Sequence, residues 1–153
     1  QWLQSKLENQ GQLYPNYHVR LPTEQEWEKA ASWNPICQKA QRYPWGDTWD
    51  DNRALTAANS QGCPINVYSH CNGASAYGIY GMLGNVWEWT SSSYQSYTAL
   101  NSYQDFQDNH YVIRGGSCTL KPTHLRCSYR CHLPPYSRRS HLGFRIVIGP
   151  KQH

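Results

Sequence analysis

Apolar positions recur along this chain in two periods, and each period lasts only a few residues. Between Gln1 and Gln10, Trp2, Leu3 and Leu7 form a stripe at helical spacing that Gly11 would end. Val19-Arg20-Leu21-Pro22 leads into Thr23-Glu24-Gln25-Glu26, where a hydroxyl and a carboxylate three residues apart fit a capping box. A helix is expected from Glu24 to about Ser32, with Trp27, Ala30 and Ala31 on its buried face. Glu24, Glu26 and Glu28 are assigned to capping and to a solvated helix face. From Asn34 to Ser75, Pro, Gly, Asp and Asn interrupt every period around the knot Tyr43-Pro44-Trp45-Gly46-Asp47, and long irregular structure is expected. Alternation returns where Val86, Glu88 and Thr90 interleave with Trp87 and Trp89, which reads as a strand entered through a turn at Gly84 and burying two indoles. Ser91 to Asn109 is polar and reads as loop.

The last stretch organises the rest. Tyr111-Val112-Ile113 is a short strand broken at Gly115-Gly116, and Phe144 to Ile148 is a closing strand after Gly143. Between them runs a long polar excursion rich in Arg, His, Cys and Tyr, which is taken as the working surface. The coarse architecture is an α+β domain: two helices near the front, a looped middle and a few antiparallel strands.

Composition narrows the function. A chain of 153 residues suits one domain, and seven Trp with twelve Tyr imply rings packed beneath loops. The net charge of +4 gathers only between Lys121 and Arg145, which argues against a general nucleic-acid binder. No apolar run is long enough to cross a bilayer, so no membrane partner is expected. The six cysteines match no zinc spacing, and reduced thiols in a cytoplasmic protein are expected. The cluster Cys127, Cys131 and His132, with His124 and His141, is likewise no recognised metal spacing, so neither a metal nor a cofactor is expected.

Six stretches resemble the formylglycine-generating enzyme, or sulfatase-modifying factor, family. They are Arg20 to Glu28, Tyr43-Pro44-Trp45-Gly46, Gly73-Ala74-Ser75 with Tyr77-Gly78, Gly84 to Trp89, Arg114-Gly115-Gly116-Ser117, and Gly143-Phe144-Arg145. The resemblance implies a C-type-lectin-like fold whose N-terminal part, a strand and some of a helix, is not represented in this chain. It also implies structural calcium at positions matching Leu55, about Ser60, Gly81 and Glu88. Leu55 and Gly81 offer only backbone oxygen and Ser60 is a poor ligand, so a weak site or none is expected.

Three kinds of protein share this family. The first, a copper oxidase of sulfatase cysteines, needs two thiolates five residues apart in the last segment; Thr119 to Leu125 contains no Cys. The second is the iron-dependent sulfoxide synthase of ergothioneine-type pathways, whose iron-binding histidines sit on a separate helical domain and whose lectin-like lobe has similar Arg126, Tyr129-Arg130 and Pro134-Pro135 landmarks. The third is the ligand-binding variable protein diversified by retroelements that mutate adenines, and its frame of Arg, Tyr-Arg, Pro, Arg and Gly-Phe-Arg matches most fully. In that reading Thr119, Leu120, Lys121, His124, Cys127, Cys131, His132, Leu133, Tyr136, Ser137, Arg139, Ser140 and His141 are displayed to a ligand, within a variable segment of about 118–141. All but Lys121 are reachable from an AAC codon by changing adenines. Arg114, Arg126, Arg130, Arg138, Arg145, Trp87 and Trp89 form the structural frame, with Arg126, Arg130 and Arg138 tying loop carbonyls and carboxylates. The expected function is non-catalytic binding of a protein or other macromolecular ligand, with the lectin-like lobe of an iron-dependent sulfoxide synthase or a plain interaction domain of a signalling protein as the alternatives.

Overall fold

The computed structural model describes residues 1–95 and 109–150. Helix α1 spans Trp2–Asn9, and Gly11 follows it at φ +64°, where the helix ends. No residue of α1 is buried, and Trp2 is 74% exposed, so the apolar stripe does not pack into the core. Instead the amide of Gln4 ties α1 to the next strand, accepting from Val19 N at 2.7 Å. That strand, β1 (Tyr17–Arg20), pairs antiparallel with β8 (Val147–Pro150).

Helix α2 spans Glu24–Ser32 behind the capping box the sequence predicts: Thr23 Oγ1 accepts from Glu26 N, and Glu26 Oε2 accepts from Thr23 N. Arg20 holds Glu26 from the other side, and its guanidinium is the main reason the Glu26 carboxyl is lowered to about 2. Trp27 and Ala31 are buried against Tyr43, Met82, Leu83 and Cys127, and this cluster is the core beneath the sheet. Between α2 and the sheet the chain is mostly irregular: a two-residue hairpin, β2 (Trp33–Asn34) with β3 (Lys39–Ala40), then turns and a kinked 3-10 segment at Val67–Gly73. The Tyr43 knot is held by rings, with Trp45 stacked on Tyr43 at 5.6 Å and Trp49 edge-on at 5.2 Å.

A four-stranded sheet in the order β6-β5-β4-β7 carries the last segment. Its members are β4 (Trp87–Ser93), β5 (Tyr111–Arg114), β6 (Arg130–Leu133) and β7 (Leu142–Phe144). Entry into β4 needs Gly84: its φ is +73°, and a Cβ there would lie 2.1 Å from the Leu55 carbonyl oxygen.

Five sequence expectations change. The excursion after Gly116 is not all loop, because Arg130–Leu133 returns to pair with β5. The closing strand is two strands in two sheets: β7 runs parallel to β4, and after Arg145 turns inward to Glu88 the chain leaves to join β1. The strands are therefore not all antiparallel. Both faces of β4 pack inward, so Glu88 and Thr90 are as buried as Trp87, while Trp89 is half-buried. Of the polar stretch after Thr90, Ser91–Ser93 extend β4, and the rest of that loop expectation falls largely outside the described residues.

Candidate functional site

The segment after β5 is folded by small residues at its root. Gly115 and Gly116 take φ of +93° and +73°, which reverses the chain, and a Cβ on Gly116 would meet the Leu125 side chain at 2.2 Å. Leu125 thereby fills the base of the loop at 1% exposure. Cys118 donates its amide to Asn85 O at 2.9 Å, and Leu120 O accepts from Ala57 N at 2.9 Å, fastening the loop to the irregular middle. A 3-10 turn at Pro122–His124 follows, then β6, a turn closed by Ser137 N on Pro134 O, and β7.

Beneath the segment lies a layer of arginines paired to carboxylates from α2 and β4. Arg114, with 0% of its side chain exposed, bonds Glu24, Glu28 Oε2 at 2.7 Å, and the Cys127 carbonyl. Arg130 grips both oxygens of Glu24, at 2.7 and 2.6 Å, and also donates to Gln95 O. Arg145 does the same to Glu88, whose Oε2 also accepts from Trp27 Nε1 at 2.7 Å. These are charge-assisted bonds, two of them bidentate, and Arg114, Glu24 and Glu88 make theirs largely out of contact with water. Glu24, Glu28 and Glu88 are the residues that sequence reasoning missed. The available signals were Glu24 and Glu28 four apart on one helix face, and a single Glu between two tryptophans.

Arg126 and Arg138 are not part of this layer. Both are exposed, and neither side chain makes a hydrogen bond or ion pair with a described residue; Arg126 lies over the Tyr129 ring at 5.4 Å. Their assignment as ties to carbonyls and carboxylates is therefore corrected: the loop turns them outward, where α2 and β4 offer no acid. Trp87 is buried as expected, with Tyr129 against it at 5.7 Å.

Of the residues assigned to display, Thr119, Lys121, His124, Tyr136, Arg139 and Ser140 are exposed, Tyr136 most of all at 80%. Leu120, Cys131, His132, Leu133, Ser137 and His141 are half-buried. Cys127 is the exception and a correction: at 1% exposure it belongs to the core cluster, its amide bonded to Arg42 O, and burial pushes its thiol up to about 12. The contacts also draw distant displayed residues together. Tyr129 rests on Trp87, Trp87 N donates to His141 O, and Leu142 N donates to Arg139 O, so the turns at 126–129 and 139–142 meet over the start of β4.

His132 sits in a stack at the other end of the sheet. Tyr94 lies on it with centroids 4.0 Å apart, His110 meets it edge-on at 5.1 Å, and Arg130 covers Tyr94 at 4.8 Å. Burial first, then the neighbouring His110 and Arg130, hold the His132 imidazole below its ordinary 6.5.

Among the described residues, no group of three or more His, Cys, Asp or Glu side chains converges as metal ligands would. The copper chemistry of the oxidases does not fit, because the stretch from Thr119 to Leu125 that corresponds to their two thiolates holds no Cys. Calcium at Glu88 does not fit either, since both carboxylate oxygens are already held by Arg145. Charge is distributed unevenly instead. All ten Asp and Glu precede Asn109, whereas eight of the fourteen Lys and Arg follow Asp108.

Two helices beside a small mixed sheet, with the chain ends paired and a long loop segment mounted on the sheet, define a C-type-lectin-like domain. The profile of the Sulfatase-modifying factor enzyme 1-like domain matches residues 1–150, and the chain belongs to that family. Hercynine oxygenase of Mycobacterium tuberculosis is 38% identical over 138 residues, covering 84% of this chain and 32% of that protein. The inactive C-alpha-formylglycine-generating enzyme 2 of Bos taurus is 35% identical over 147 residues, covering 85% of this chain and 44% of that protein. Among solved structures, Treponema denticola variable protein 1 superposes with a TM-score of 0.68 at 30% identity, covering 84% of this chain and 46% of that one. The chain thus spans about a third of the hercynine oxygenase and under half of the other two. No helix among the described residues is long and apolar enough to cross a membrane.

Proposed function

We propose that this chain is a non-catalytic ligand-binding domain, a retroelement-diversified variable protein in which an arginine-tied scaffold presents exchangeable side chains from the 118–141 segment. One observation carries the reading. The arginines that anchor the segment point inward to Glu24, Glu28 and Glu88, while the side chains of Thr119, Lys121, His124, Tyr136, Arg139 and Ser140 point out and, among the described residues, make no hydrogen bond beyond the short-range Thr119–Ser117 contact. Side chains so placed are free to change without cost to the core, which is what a paratope-like surface requires. A catalytic site would need the reverse, with functional groups locked by neighbours. The ligand is a protein or other macromolecule, and the exposed thiols of Cys37, Cys63 and Cys71 suit a reducing compartment such as the cytoplasm.

The test is the coding locus. A near-identical template copy of the Tyr111 to Arg145 stretch, differing only at adenines and beside a reverse transcriptase, is expected; a locus without that copy would overturn diversification. The second reading, the lectin-like lobe of an ergothioneine-type sulfoxide synthase, is favoured by the 38% identity to hercynine oxygenase. It requires a helical iron-binding domain encoded in the same frame, and the same locus decides it.

A further inference from the structure

We infer that the ligand face recognises an acidic protein surface, one whose carboxylates pair with Arg126, Arg138 and Arg139; the inference rests on the display reading above. The argument begins with the missing acids. Not one Asp or Glu occurs from Asn109 to His153, although mixed charge is the ordinary state of a solvated surface. The inner arginines solve this shortage by taking carboxylates from elsewhere: Arg114 and Arg130 from α2, Arg145 from β4. The outer cations have no such supply. Lys121, Arg126, Arg138 and Arg139 are all exposed, and among the described residues none has a carboxylate within reach.

Placement puts the three arginines on one surface. Tyr129 beneath Arg126 rests on Trp87, whose amide is bonded to His141 O, and Leu142 N holds Arg139 O, so the two arginine-bearing turns converge over β4. Tyr136, two residues before Arg138, stands 80% exposed among them. Three of the four cations are Arg, which binds a carboxylate through two parallel N–H···O bonds and stacks on rings, a match for carboxylate side chains. A nucleic-acid groove would need cations tracking a backbone and bases stacked on several rings. Here the pair Arg138-Arg139 is flanked by the hydroxyls of Ser137 and Ser140, and one tyrosine, Tyr136, stands 80% exposed.

Selection of a random peptide library on the intact protein tests this, with the variant Arg126→Gln/Arg138→Gln/Arg139→Gln as counter-target. The expected outcome is peptides enriched in Asp and Glu, whose binding weakens about tenfold or more in the variant and falls as salt is raised on the unaltered protein. The salt titration does not depend on how the variant folds. Variant-sensitive peptides without an acidic excess would overturn the inference and leave the display reading standing. No enrichment that depends on this face would overturn both. Oligothymidylate binding as tightly as the selected peptides, and lost in the same variant, would overturn it in favour of a nucleic-acid partner.

Discussion

Arg114 and Arg139 belong to the same acid-free stretch of chain, yet they do opposite things. Arg114 is fully enclosed, bonded to two glutamates of α2 and a backbone carbonyl, and stacked 5.3 Å over Trp27. Arg139 is exposed and contributes only its backbone carbonyl to the fold, accepting from Leu142 N. The difference is not in the residue but in what faces it. Where α2 or β4 supplies a carboxylate, arginine fixes the loop; where neither does, arginine stays exposed.

The sharpest way to break this contrast is to remove the shared anion. Glu24→Gln leaves Arg130 without its carboxylate and Arg114 with only Glu28, and a loss of about 3–5 kcal/mol in denaturant-measured stability is expected. A loss no larger than that of a surface mutation would mean that the inner layer does not hold the fold. Thiol labelling probes the same boundary from the core side. Cys127, buried and pushed up to about 12, should react with an alkylating reagent only as the protein unfolds, whereas Cys37, Cys63 and Cys71 should label at once. Rapid modification of Cys127 in the folded protein would return it to the display set.

A smaller effect is expected from pH. The His132 imidazole titrates below its ordinary value in the folded protein, so the unfolded chain binds the proton first. Its contribution is therefore complete above pH 6.5 and is lost as pH falls below that value towards the folded pKa. His132→Phe should flatten this limb of the thermal-stability profile, and an unchanged slope would show that the Tyr94–His132–His110 stack does not titrate. Glu26 adds a separate limb further down, between its ordinary 4.5 and about 2. The smallest change belongs to the outer layer: Arg126→Ala and Arg138→Ala should each stay within about 0.5–1 kcal/mol of the parent, the upper end covering the Tyr129 contact of Arg126. A larger loss from Arg138→Ala would restore it to the frame.

Much of the scaffold was legible along the chain. Thr23 and Glu26 announce α2 because capping is a local bond between residues three apart, and Gly11, Gly84 and Gly115-Gly116 mark reversals because only glycine takes those backbone angles freely. The family motifs foretold the fold class for the same reason, since they are the residues at these turns and caps. What was not legible was partnership. Arg114, Arg126, Arg130, Arg138 and Arg145 look alike as letters, and the inner three are sorted from the outer two by glutamates as many as 106 positions away. Cys127 reads as one of several interchangeable loop residues until Trp27, Tyr43 and Met82 close around it.

The sequence alone settled where this chain bends, caps and alternates, because those depend on neighbours in the chain. It also carried the absence of acid after Asp108, a fact of composition. Only the tertiary structure decided which arginines the absence leaves unsatisfied, that β7 lies parallel to β4, and that Glu24 serves two strands at once. An ion pair across the fold is a matter of distance between atoms, and the order of residues does not determine that distance until the core has packed.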